Sequence, residues 1–385
     1  MKAWILRNHS RLAPVIRVAG ALYGRAVVPY EAFDRANAEI VNTLGPDLSR
    51  ALGARSSFEL WQIGKAWEAR FAGWCGRAHS VGTASGTAAL QIALVAAGVG
   101  PGDEVITSAH TYAATVLAIR NTGATPILVD PDPGDLCLRA AAVRGAMTGR
   151  TRAIVPVHMH GHAAEVGPML GFGVHVIEDC AQAHGCTVAG RRVPLGPTGC
   201  FSFFPSKPIG GTGNGGMIVT DDAALAARAD AARDPDSADP IVLRAARTPS
   251  YPDPLQVALL GARLDRYEAT RARRAANAAY YLERAAHLSP VLPAVGVESA
   301  WYSFVVRVPE RDRARAWLLA RGVETKVEYA TPVFRSSLFA DAGWRPDDWP
   351  VADRAAREGI SIPVHAWLTL DERRRVRDAL VAVAA

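Results

Sequence analysis

The chain has 385 residues, 49% hydrophobic and 21% charged, with a formal net charge of +6. This is ordinary globular composition, long enough for two or three structural units with ample core. The basic excess is modest and forms no block that would mark a nucleic-acid surface, and no stretch is long and apolar enough to span a membrane, so neither partner is expected.

Residues 1–60 carry little pattern and read as an N-terminal arm. The opening MKAWILR starts like a secretion signal, but its apolar run is short and is broken by Arg7, His9 and Arg11. Five cysteines (Cys75, Cys137, Cys180, Cys186 and Cys200) are irregularly spaced without a CxxC pair, which argues against disulfides and zinc and for a reducing, cytoplasmic setting. Residues 61–74 read as an amphipathic helix with Trp67, Phe71 and Trp74 on one side. From Ala78 to about Asp222 the pattern alternates. Helices are expected at 87–97 and 112–121, and strands at 104–107, 125–129, 153–158, 174–177 and 217–220. Such alternation predicts an α/β fold, a mostly parallel sheet with helices on both faces, and ligands beyond the carboxyl ends of its strands. His158, Asp179 and the loop around His110 fall at such ends.

The run RDPDSADP at 233–240 reads as a linker. Asp253 and Pro254 then open a long helix to about residue 287, an acidic N-cap followed by proline at the first helical position. A strand at 301–308, a helix at 311–321 ended by Gly322, a strand at 323–329, and helices at 352–359 and 369–383 make a smaller α+β unit. The division expected is 1–250 for the large unit and 251–385 for the small one.

The chemistry concentrates in a few runs. Lys207 follows FSFFPS at 201–206 and precedes the glycine-rich GGTGNGG at 210–216; an apolar surround lowers an amine's pKa and favours imine formation. Asp179 ends the apolar strand VHVIED. A lysine of this kind with a buried carboxylate upstream is the pair that pyridoxal phosphate requires, the lysine for the cofactor aldehyde and the acid for its pyridine nitrogen; a structural aspartate capping a turn is the bland alternative. GTASGTAAL at 82–90 is small and hydroxyl-rich where a helix begins, so Ser85, Gly86 and Thr87 form either a phosphate cup or an ordinary N-cap. Ser202 could donate to the same phosphate. Tyr112 could stack on a flat ring or be packed; Gln182 could reach a ring hydroxyl; His184 could belong to the same wall or be packed. His158, His160 and His162 form an HxHxH run with no matching carboxylate or cysteine spacing, and no metal is expected.

Together these runs, with GVGPGDEVITSAHTYAAT at 98–115, PVHMHGHAAE at 156–165, EDCAQAHG at 178–185 and SIPVHAWLT at 361–369, keep their order over most of the chain. The set resembles the DegT/DnrJ/StrS family of pyridoxal phosphate-dependent sugar aminotransferases, of the aspartate aminotransferase (type I) fold. The resemblance implies a seven-stranded-type sheet, Lys207 as the imine lysine, Asp179 at the pyridine nitrogen, Gln182 at the ring hydroxyl, Tyr112 stacked on the ring, and Ser85, Gly86 and Ser202 on the phosphate. It implies a homodimer that moves an amino group from L-glutamate or L-glutamine to a keto group of a nucleotide-linked sugar or a cyclitol, in amino-sugar or antibiotic biosynthesis. His158, His184 and Tyr329 are the candidates for substrate contact. The sequence departs from the family at 247–252, where RTPSYP replaces a GYNYRM-like run, at 328–334, where EYATPVF replaces an HYxxPxH-like run, and at Pro208. Those departures keep open another pyridoxal phosphate reaction, such as elimination or oxidation of an amino acid, or a non-catalytic regulatory relative.

Overall fold

The computed structural model describes residues 27–243 and 249–383. Arg247 and Thr248, at the first departure named above, lie outside the described residues.

Five strands come first: β1 (His79–Thr83), β2 (Glu104–Ser108), β3 (Thr125–Val129), β4 (Thr151–Val155) and β5 (His175–Asp179). A small hairpin follows, β6 (Thr187–Val188) and β7 (Arg191–Arg192), and then β8 (Thr198–Ser202) and β9 (Gly216–Thr220). The large sheet has seven strands in the order β1-β9-β8-β5-β4-β2-β3. It is parallel from β3 to β8, and β9 runs antiparallel to both of its neighbours. The mostly parallel α/β sheet expected from the alternating pattern is therefore present. β2, β8 and β9 are buried along their whole length, as strands covered on both faces must be.

The helix Gly86–Ala96 is buried at every residue from Ala89 to Ala96, so it is apolar all round and enclosed. It packs on one face of the sheet with Val105, Ile119, Ile177 and Ile218. The helix Ser57–Cys75 covers the other face with Trp67 and Phe71, whose partners are Phe201 and Phe203. Phe71 meets both phenylalanines edge-on, at 5.1 and 5.2 Å between centroids. The second core lies C-terminal. β10 (Val297–Glu298) joins the β6–β7 hairpin, while β11 (Phe304–Arg307) and β12 (Gly359–Ile362) pair antiparallel. Phe304, Tyr281, Leu318 and Val376 fill this core, and Val28 packs there too, its N–H bonding to Gly322 O at 2.8 Å.

Four expectations need correction. The long helix at 253–287 is two helices, Pro254–Asp265 and Tyr267–Ala285, with Arg266 outside helical dihedrals between them. The break lets Leu260, Leu264 and Tyr267 serve the first core while Ala278 and Tyr281 serve the second; no glycine or proline marks it. The strand expected at 323–329 is reduced to isolated bridges, Val323 to Val28 and Lys326 to Ser361, because the segment crosses between two partners instead of following one. In the run at 233–240, Arg233 is not linker, while 234–240 are irregular and mostly exposed. Arg233 is 2% exposed, and its guanidinium donates to Glu68 Oε1 (2.5 Å) and Gly82 O (2.6 Å) and also binds Asp230. The strand expected at 301–308 shortens to β11, since Trp301 turns through a positive φ of 47°.

Candidate active site

The polar side chains singled out in the sequence meet where β5 ends, where the helix Gly86–Ala96 begins, and in the loop from β8 to β9. Asp179 ends β5 and is 6% exposed. Its Oδ2 accepts from Thr115 Oγ1 (2.9 Å) and its Oδ1 from the Ala181 N–H (3.1 Å). Thr115 is in turn bonded to Thr111 Oγ1 (2.9 Å). The carboxylate is thus fixed in direction and keeps lone pairs for a further donor.

Ser85 caps the helix Gly86–Ala96, accepting from Ala88 N–H at 3.1 Å, and Thr87 is the second residue of that helix. Gly86 lies against Ser202: a Cβ built on Gly86 would fall 2.6 Å from Ser202 Cβ. The requirement for glycine here is steric. The Ser202 hydroxyl, Ser85 and the free N–H groups of the first helical turn are therefore gathered in one place.

Lys207 is held on a loop that folds back on itself. Phe203 N–H bonds Gly215 O, Gly211 N–H bonds Phe203 O, and Lys207 N–H bonds Phe204 O, each at 2.8 Å. Its Nζ stands 4.9 Å from the centroid of Tyr302. The protein mass around the amine lowers its pKa; Glu328 and Asp179 oppose that shift without cancelling it. Burial raises the Glu328 carboxyl, but His160, the Ser303 hydroxyl (2.7 Å) and Lys326 outweigh it and leave it below the usual range. Neither Glu328 nor Tyr302 was singled out as a site residue from the sequence, where each is one polar residue in an irregular run.

Gln182 has both ends of its amide engaged: Oε1 accepts from the His160 N–H (2.6 Å) and Nε2 donates to Tyr329 Oη (2.9 Å). Tyr329 leans on Tyr112, 5.4 Å between centroids. Tyr112, the N-cap of the helix Ala113–Asn121, is 45% exposed, so its ring borders open space. His184 is enclosed, edge-on to Phe201 at 5.1 Å, and burial together with the Lys207 and Arg274 cations pushes its pKa down to about 3. It is a neutral ring in the aromatic wall behind Lys207.

His158 is corrected. Its Nδ1 accepts from the Ala164 N–H (3.0 Å), so its Nε2–H donates to Glu178 Oε2 (2.8 Å), and the ring is wholly buried. Both nitrogens are used in joining two strand ends, and no ring atom is left for a substrate. Glu178 also accepts from Leu195 and Gly196 N–H. The ligand atoms of His158, Glu178 and Cys180 lie within 4.8 Å of one another, but those hydrogen bonds already occupy the histidine and the carboxylate, and burial raises the thiol. The HxHxH rings diverge: His162 turns to Ser299 Oγ (2.9 Å), and His160 has a φ of 58°.

A sequence profile of the DegT/DnrJ/EryC1/StrS aminotransferase family matches residues 56–381. The chain belongs to this family. As a member of it, the chain is an aminotransferase dependent on pyridoxal phosphate. It is 40% identical over 324 residues to the dTDP-3-amino-3,4,6-trideoxy-alpha-D-glucose transaminase of Streptomyces venezuelae, an alignment covering 82% of this chain and 86% of that one. It is 35% identical over 321 residues to the dTDP-3-amino-3,6-dideoxy-alpha-D-galactopyranose transaminase of Aneurinibacillus thermoaerophilus, covering 82% and 88%. Among solved structures, S. venezuelae DesV in complex with a ketimine intermediate superposes with a TM-score of 0.87 at 36% identity, covering 93% of this chain and 98% of that one. The residues present fit the cofactor: a cradle at Gly86 that a methyl would fill, an amine with a lowered pKa, and an oriented buried carboxylate. Among the described residues no helix is long and apolar enough to cross a membrane.

Proposed function

We propose that this aminotransferase carries nitrogen from an amino-acid donor to a keto carbon of a nucleotide-linked sugar, acting as a cytoplasmic homodimer. Both curated relatives named above bear names of dTDP-amino-sugar transaminases, which supports the acceptor class. Bound pyridoxal phosphate supplies an electron sink for breaking bonds at the carbon that bears nitrogen. Lys207 would attach the cofactor and would take up and return a proton at Nζ, and burial lowers its pKa. Asp179 holds a negative charge where a protonated ring nitrogen needs it, and Thr115 keeps that charge aimed. Ser85, Gly86, Thr87 and Ser202 bind the phosphate at the helix N-terminus. Tyr112 covers the ring face, and Gln182 and Tyr329 act as one bonded unit at its edge. We place the division between the two units near residue 250; the C-terminal core is built from residue 275 onward together with Val28, while Leu260, Leu264 and Tyr267 still pack with the large sheet.

The observation that carries this reading is the placing of Asp179, buried and oriented by Thr115 at the end of β5, beside β8, the strand that leads into the Lys207 loop. The test is spectroscopic. The loaded protein should show a visible band that L-glutamate bleaches and a 3-keto nucleotide sugar restores, and Lys207→Ala should lose the covalent attachment. A band that no amino donor bleaches would refute amino transfer.

A further inference from the structure

Glu328 is an acid that amino transfer as described does not use. It stands at a departure from the family's pattern, where EYATPVF replaces an HYxxPxH-like run, so a carboxylate that only accepts hydrogen bonds stands in place of a ring that can donate one. Its side chain is 8% exposed and is placed from two sides. On one side Oε2 accepts from Ser303 Oγ (2.7 Å), and Ser303 follows Tyr302, whose ring centroid is 4.9 Å from Lys207 Nζ. Ser303 Oγ also meets Tyr30 Oη (3.3 Å), and Tyr30, Tyr302 and Lys207 line one cleft. On the other side Tyr329, the next residue, is bonded to Gln182 and leans on Tyr112, whose ring borders open space. Glu328 therefore belongs to the wall between the ring beside the lysine and the bonded pair at the cofactor's edge.

The carboxylate is under-used. Among the described residues Oε1 accepts no hydrogen bond, and the sole basic group within ion-pair distance is His160, whose Nδ1 is 3.8 Å from Oε2, too far for a hydrogen bond. Lys326 is taken by Glu31. Burial favours the neutral acid, but His160, Ser303 and Lys326 hold the pKa below the usual range, so the group is an anion at neutral pH. A largely buried anion with an open oxygen is stabilised by a ligand that donates to it.

We propose that Glu328 selects the acceptor by taking a hydrogen bond from a hydroxyl on a carbon next to the keto carbon, so that the acceptor is a hydroxylated keto sugar and not one deoxygenated beside its carbonyl. The inference rests on the amino transfer proposed above. The carbon that receives nitrogen must come up to Lys207, and the groups on its neighbouring carbons are the ones that reach this wall. A site built to hydrogen-bond a hydroxyl rejects the analogue that lacks it, because its own buried polar group is then left unpaired.

The experiment compares the intact, 2-deoxy and 4-deoxy forms of a dTDP-linked 3-keto sugar as acceptors for the loaded protein, with half-saturating glutamate measured in parallel. In the wild type, removing one of the two hydroxyls should cost at least about tenfold in kcat/KM, and Glu328→Ala should abolish that cost while glutamate saturation stays within about threefold. Glu328→Gln keeps an acceptor oxygen without the charge and should retain part of the preference. If neither hydroxyl matters, or if the cost persists in Glu328→Ala, the proposal is overturned. A change confined to glutamate saturation also overturns it, since the carboxylate would then serve the donor. A second readout needs no turnover and no alanine variant. Calorimetry of dTDP-glucose and its 2-deoxy and 4-deoxy analogues should show a loss of about tenfold in affinity for one of them in the wild type and a smaller loss in Glu328→Gln; equal binding of all three by the wild type overturns the assignment. Keto sugars that bind with this preference yet never restore the visible band would instead refute amino transfer to them.

Discussion

Replacing Gly86 by alanine separates the packing of the site from its chemistry. The new methyl would lie 2.6 Å from Ser202 Cβ and 3.2 Å from Ser202 Cα. Non-bonded carbons settle at about 3.5–4.0 Å, so the first helical turn or the end of β8 must yield by about 1 Å. Overpacking of this kind costs about 1–3 kcal/mol. Alanine returns part of that, since it is favoured over glycine in a helix by up to about 1 kcal/mol. Folding should therefore weaken by only about 1–2 kcal/mol. Cofactor binding should suffer more. The displaced turn carries the N–H groups proposed to bind the phosphate, and one hydrogen bond to a charged group is worth about 1.5–3 kcal/mol, at least tenfold in affinity. The assay is equilibrium binding of pyridoxal phosphate to the apoprotein, beside urea denaturation of the same sample. Gly73→Ala is the control: it is inside the helix Ser57–Cys75 and an added Cβ there meets nothing within 4 Å. It should gain about 0.5–1 kcal/mol and leave affinity alone. Wild-type cofactor affinity in Gly86→Ala would refute the argument that this close approach builds the phosphate site.

Other outcomes follow from the same geometry. Glu68→Ala strands the buried Arg233 with Asp230 and Gly82 O, and should lower the denaturation free energy by about 3 kcal/mol; a loss under about 1 kcal/mol would mean that Asp230 alone suffices. Burial holds His110, His162 and His184 down to about 3, so they are neutral in the fold and bind protons first in the unfolded chain. Their contribution is full above the unfolded value near 6.5 and is lost as pH falls toward 3, each adding up to about 1.4 kcal/mol per pH unit. The urea midpoint of the apoprotein should fall steadily from about pH 7 to pH 5, and His184→Phe should flatten that slope. A flat wild-type profile would contradict the buried neutral rings. Gln182→Leu leaves the His160 N–H without its acceptor and Tyr329 without its donor; it should cost about 1–3 kcal/mol and shift the visible band. A variant with an unaltered denaturation midpoint would show that the amide supports nothing.

Five strands of the large sheet, β2 to β5 and β9, were legible because they are apolar runs between helical stretches, whereas β1 (HSVGT) and β8 (TGCFS) were not, being short runs rich in small and polar residues. The enclosure of Asp179 and Lys207 was legible too: an acid ending VHVIED, and an amine among three phenylalanines, are locally costly and stand out. The break at Arg266 was not legible, because a chain that bends to serve two cores needs no proline; Leu260 and Leu264 of the first helix pack in one cluster and Ala278 and Tyr281 of the second in the other. Arg233 read as linker because its local sequence is charged, while its partner Glu68 lies 165 positions away. His158 shows the opposite error. A histidine at a strand end suggests substrate, yet it was the neighbouring Glu178 that claimed it.

The loop that carries Lys207 leaves β8 and re-enters the sheet at β9, two strands paired with each other. Its span is therefore moored at both ends to the same ribbon, and the bonds between Phe203 and residues 211 and 215 tie it across the middle. In the role proposed for Lys207, a side chain that would let go of its adduct and retrieve it in every cycle gains from such an anchorage. The backbone keeps the address while the four methylenes of the lysine supply the travel, so regeneration demands rotation about side-chain bonds and no refolding of chain.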